Sequence, residues 1–136
     1  ANKLHDFASN TKAPLITLDK LMFGFPSQRI AKLMFWNIVQ TSEFNHFTRD
    51  LHKNIKGLDL PDVQKFKDHS KLIHRITVAL LKNNTSKSYT RTISEKITEL
   101  NLEKIEFPLK EFSLIRSELN RKGRTVYKSI ATFKTK

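Results

Sequence analysis

The apolar positions of this chain fall into blocks whose spacing predicts mostly helices. From Pro26 onward Ile30, Leu33, Met34 and Ile38, with Phe35 on the flank, recur at three- and four-residue intervals, the spacing of a wide buried stripe. A core helix is therefore expected from about Pro26 to Phe44, with Trp36 in its apolar run and Asn37 and Gln40 facing outward. Thr48 is placed to cap a shorter helix, RDLHKNIK, because its hydroxyl can accept an orphan backbone N–H while Asp50 complements the helix dipole. Leu51 and Ile55 anchor that helix, and Gly57 is suited to end it. Pro61 fits the first turn of a third helix, in which Val63, Phe66, Ser70, Ile73, Thr77 and Leu80 step by three and four along one face. The stretch from Thr48 to Lys82 thus has the layout of a helix-turn-helix.

The flanks are read in the same way. Residues 1–14 are polar and end in Pro14, which predicts a flexible N-terminal arm that Leu4 and Phe7, three apart, could dock; residues 15–136 are expected to form one domain. LITLDKLMFGF offers a cap at Thr17 and a single helical turn that Gly24 stops. Residues 83–91, NNTSKSYTR, are short-chained, polar and free of acid, and predict a loop entering a strand at Ser88 to Ile93, where a winged helix places its wing. Ser94 to Leu100 reads as a turn or a short helix before a strand around Leu102 to Phe107. After Pro108, the spacing of Leu109, Phe112, Ile115 and Leu119 predicts a helix broken by Gly123. RTVYKSIATF carries a helix-like stripe, although its Val, Thr and Ile content also suits a strand. The expected fold class is mainly α with a small β-sheet (α+β), a winged helix-turn-helix.

Charge sharpens the functional expectation. Twenty-five Lys and Arg against thirteen Asp and Glu give a net charge of +12, which favours a polyanionic partner. The expected contacts are Gln64, Lys65, Lys67, Lys71 and Arg75 on the third helix and Lys87 and Arg91 on the wing, with cations on phosphates and Gln64 or Arg75 reading base edges. The last 21 residues add seven Lys or Arg against one Glu. Double-stranded DNA is the expected ligand, and a homodimer would require half-sites one helical turn apart.

Other chemistry is thinly represented. The chain has no cysteine, three glycines and five scattered histidines, so thiolate nucleophiles, Gly-rich phosphate loops and a caged metal are not expected. No enzyme activity and no cofactor are predicted. There is no apolar run near the roughly 18 residues of a membrane span, and the N-terminus lacks the apolar core of a signal peptide, which makes a cytoplasmic protein the expectation.

Several segments resemble the RepA-like plasmid replication initiators, a winged-helix family. FGFPSQRIAKLMFWNIV is similar to the family's opening helix, RDLHKNIKGL to its brace helix, and VQKFKDHSKLIHRI to its recognition helix; ISEKI, FPLKEFSLI and TVYKSIATF are similar to the closing elements. The resemblance implies binding of repeated origin DNA and recruitment of host replication proteins. The family's Gly-rich entry to the recognition helix is replaced here by Asp59, Leu60 and Pro61. A basic helical signalling or interaction module, cytokine-like and without DNA binding, is the competing expectation.

Overall fold

A computed structural model describes residues 2–24, 32–56, 74–82 and 85–136. The elements run α1 (Asn2–Asn10), β1 (Leu15–Phe23), β2 (Leu33–Ile38), α2 (Ser42–Lys56), β3 (Arg75–Leu80), α3 (Lys87–Glu99), β4 (Ile105–Pro108), β5 (Glu111–Leu119) and β6 (Thr125–Lys134). They divide into two compact units, one drawn from residues 1–15, 41–69 and 108–136, the other from residues 16–40 and 70–107.

The first unit packs two helices on a two-stranded antiparallel ribbon, β5–β6. In α1, Leu4 and Ala8 are buried four residues apart, with half-buried Phe7 beside them on the same face. In α2 the apolar residues Phe44, Phe47, Leu51 and Ile55 recur at helical spacing, and the Thr41 hydroxyl caps the helix by accepting the Phe44 N–H at 3.2 Å. Phe112 on β5 is the hub. Its ring lies 6.3 Å from Phe7, 5.8 Å from Phe47 and 5.3 Å from Phe133 between centroids, the range of favourable edge and tilted aromatic pairs.

The second unit carries a curled antiparallel sheet in the order β3-β2-β1-β4. Ile16, Thr17 and Leu18 on β1 are all buried, so both faces of this strand are covered and no alternation shows in its sequence. Phe35 on β2, 1% exposed, fills the sheet's interior. Register is set by the pairs Met22↔Phe35 and Phe35↔Thr77, with bulges interrupting both ladders. Gly24 ends β1 at φ 73°, a left-handed conformation open to glycine at little cost, and donates its N–H to the Leu33 carbonyl at 2.8 Å.

The mainly-α winged helix is therefore overturned. Among the described residues six strands accompany three helices, in an α/β-type fold. Of the expected core helix from Pro26 to Phe44, residues 26–31 lie outside the described residues, Ser42 to Phe44 open α2, and Leu33–Ile38 is strand β2, because LMFWNI is a short apolar run whose residues satisfy helix and strand spacing alike. The expected turn of helix at Thr17 lies inside β1. The helix expected after Pro108 is β5, which buries toward the core at two-residue intervals, through Phe112 and Leu114, rather than at three or four. Conversely, the expected wing strand at Ser88–Ile93 is part of α3. Its Ser and Thr residues read as loop, yet the Ser86 hydroxyl caps the helix at the Tyr89 N–H, and Thr90, Thr92 and Thr98 bond back to carbonyls four residues earlier. The brace helix begins at Ser42, and the Thr48 hydroxyl bonds inside it to the Asn45 carbonyl at 3.2 Å. The turn at Gly57 to Pro61 and most of the expected recognition helix lie outside the described residues; the end of that helix, from Arg75, is strand β3. The polar N-terminal residues form α1, docked through the expected Leu4 and Phe7. Among the described residues no helix is long and apolar enough to cross a membrane.

Replacing the hub by Phe112→Ala should lower unfolding free energy by about 3–5 kcal/mol, read in urea denaturation by far-ultraviolet circular dichroism. Leu119→Ser, at a position 74% exposed, should stay within about 0.5 kcal/mol of the parent. Equal effects from both would show that the aromatic cluster does not hold the ribbon.

Candidate nucleic-acid interface

The expected contact residues do not form one surface. Gln64, Lys65, Lys67 and Lys71 lie outside the described residues. Arg75 opens strand β3 opposite Asn37 of β2, and Lys87 opens helix α3. Arg91 sits one turn beyond Lys87, four residues on, where its Nε pairs with Glu95 Oε1 at 2.8 Å with both side chains well exposed. Such a pair is weak in solvent, and it halves the positive charge of that helix face.

On the second unit's sheet, polar side chains from neighbouring strands converge. The buried Thr17 hydroxyl donates to Glu106 Oε1 of β4 at 3.1 Å, and Asn37 Nδ2 donates to Asp19 Oδ1 at 2.8 Å. Asn37 lies opposite Arg75, so Asp19, Asn37 and Arg75 share one side of the sheet. Each of these two carboxylates accepts a hydrogen bond from a neutral donor on a neighbouring strand, which orders the strands. No group of three or more His, Cys, Asp or Glu that could hold a metal occurs among the described residues.

Positive charge gathers instead on the distal half of β5–β6. Side chains of directly paired residues share a face of a ribbon. On the inner face the pairs Phe112↔Phe133 and Leu114↔Ala131 belong to the core, whereas the next pairs, Arg116↔Lys128 and Glu118↔Val126, are solvent-exposed. The change of character falls at the register shift after Leu114, where β6 carries an extra residue, Ile130. Beyond this bulge the ribbon stands clear of the helices of its unit.

The connecting turn extends the same charge. Asn120 Oδ1 accepts the N–H groups of Lys122 and Arg124, each at 2.9 Å, and the Asn120 N–H donates to the Arg124 carbonyl at 2.9 Å. Asparagine is suited to this because its short side chain mimics a backbone turn. Gly123 completes the turn at φ 69°. These bonds present Arg121, Lys122 and Arg124 from one short loop. Together with Arg116 and Lys128 they make five cations between residues 116 and 128 against one carboxylate, Glu118, which is ion-paired with Arg116. Arg121, Lys122, Arg124 and Lys128 have no carboxylate partner among the described residues. The excess of Lys and Arg over the last 21 residues marks this surface in the sequence; the helical reading of Leu109 to Leu119 hides that the charges share a ribbon.

No family model and no curated protein matches the chain. A solved structure does: the protein TT0787 of Thermus thermophilus superposes with a TM-score of 0.63 at 21% identity, covering 98% of this chain and 66% of that one. At that identity the likeness is one of fold. The chain spans less than two thirds of the length of the structure it matches.

A methyl group added at Gly123 would meet no atom within 4 Å, so Gly123→Ala should cost only the left-handed conformation, about 1–2 kcal/mol. Hydrogen exchange should quicken at the turn amides of Lys122 and Arg124 and stay unchanged at Phe35. Unchanged protection at the turn would show that its geometry does not depend on glycine.

Proposed function

We propose that this chain binds nucleic acid, with DNA as its expected form, through the distal half of the β5–β6 ribbon. The observation that carries this reading is the concentration of Arg116, Arg121, Lys122, Arg124 and Lys128 around one already paired carboxylate, on a ribbon that projects past its own core. Such a surface neutralises phosphates and releases condensed counterions, which supplies affinity without base recognition. A two-stranded ribbon is also narrow enough for the major groove, so duplex contact needs no recognition helix. The net charge of +12 adds long-range attraction that speeds encounter. A nucleic-acid ligand accords with the cytoplasmic location expected from the sequence.

Anisotropy titration of fluorescent DNA should give an affinity that falls linearly with salt on logarithmic axes. Changing Arg121, Lys122 and Arg124 together to Ser should make that slope shallower by roughly 0.7–0.9 for each phosphate contact removed, with the thermal midpoint nearly unchanged. Absence of binding to any oligonucleotide at low salt would overturn the reading.

A further inference from the structure

The ribbon's other face has a different character. After the Ser113↔Thr132 pair, whose hydroxyls lie 2.9 Å apart, this outer face continues through Ile115↔Ser129, Ser117↔Tyr127 and Leu119↔Thr125. Tyr127 is 71% exposed, and its diagonal neighbours Ile115 and Leu119 are 54% and 74% exposed. The residue directly opposite Tyr127 is the small Ser117, which leaves the ring uncovered from across the ladder. An aromatic ring between two aliphatic side chains, beside a turn bearing Arg121, Lys122 and Arg124, combines a flat apolar platform with phosphate-binding charge.

The patch commits to a small, planar, anionic occupant. Even with Ile130 at the bulge, 59% exposed, these few side chains offer far less than the roughly 800 Å² per partner of a specific protein interface. A second copy of the chain would also bring its own excess of cations, +12 on each molecule, against the same rim. A nucleotide base needs only one ring to stack on, and its phosphates are complementary to the turn. In a duplex the base faces are occupied by neighbouring pairs, so this platform can be used only by an unpaired strand.

We infer that the outer face of the ribbon takes single-stranded nucleic acid, stacking a base on Tyr127 while the turn cations hold the flanking phosphates. This rests on the reading that the ribbon binds nucleic acid and names the form of that ligand. DNA and RNA share the base and phosphate chemistry that this platform and turn recognise, so the two are expected to bind alike.

The test uses fluorescent oligothymidylate, oligouridylate, an abasic strand of equal length, and a duplex matched in phosphate number, titrated against the whole chain. The unpaired strands should bind more tightly than the duplex. Tyr127→Ala should weaken the two base-bearing strands roughly tenfold, leave the abasic strand and the duplex unchanged, and keep the thermal midpoint; Tyr127→Phe should retain affinity. Equal loss for the abasic strand, or no loss for any, overturns the stacking inference while leaving ribbon binding intact. No binding to any oligonucleotide overturns the underlying reading as well. Self-association removed by Tyr127→Ala would assign the patch to a second copy and overturn the stacking inference; binding to phosphatidylserine vesicles in place of oligonucleotides would overturn both.

Discussion

The first unit depends on the contact of one aromatic side chain with three others. Phe112 meets Phe7 of α1, Phe47 of α2 and Phe133 of β6, so a single ring joins elements from the beginning, middle and end of the sequence. A two-stranded ribbon is marginal by itself in water, because it buries too little apolar surface to offset the entropy of ordering its backbone. The aromatic cluster provides that burial on one face of β5–β6 and orients both helices against it. The ribbon can then extend past the cluster, since its proximal half is anchored.

That extension explains why structure and candidate site are adjacent yet chemically distinct. Up to Leu114 the inner face is selected for packing; from Arg116 it is free to carry charge. The bulge at Ile130 separates the two regimes by inserting a residue where the ladder leaves its support. The Asn120 side chain then closes the tip with backbone bonds, which lowers the entropy that a ligand would otherwise have to remove from its loop.

The sequence made some of this legible and hid the rest for identifiable reasons. The docking of Leu4 and Phe7 and a strand near Phe107 were readable from local chemistry, as were breaks at Gly24 and Gly123, although these end strands and not the expected helices. Periodicity failed where apolar runs are short. Leu33 to Ile38 satisfies helical spacing, but the sheet covers both sides of Phe35, and nothing local records that cover. Polarity failed in the other direction at Ser86 to Thr98, where hydroxyls that usually compete with a helix bond into it instead. For the candidate site, net charge raised only the expectation of a polyanionic partner, whereas the location of the basic ribbon depended on pairing Arg116 with Lys128 across a turn. Such pairing is non-local information, which no helical wheel contains.

The composition of the first unit also has a temporal side. Leu4 and Ala8 belong to α1, the earliest of the described elements, yet the core they enter includes Phe133 near the end of β6. During synthesis the apolar side of α1 can meet α2 through Phe7 and Phe47, but its cover is incomplete until β6 has emerged from the ribosome, more than a hundred residues after α1. Contacts of such sequence separation close slowly, because the intervening chain must lose its freedom before they stabilise anything. Over that interval the nascent chain carries an incompletely covered amphipathic helix, the stage at which chaperone binding or aggregation competes with folding.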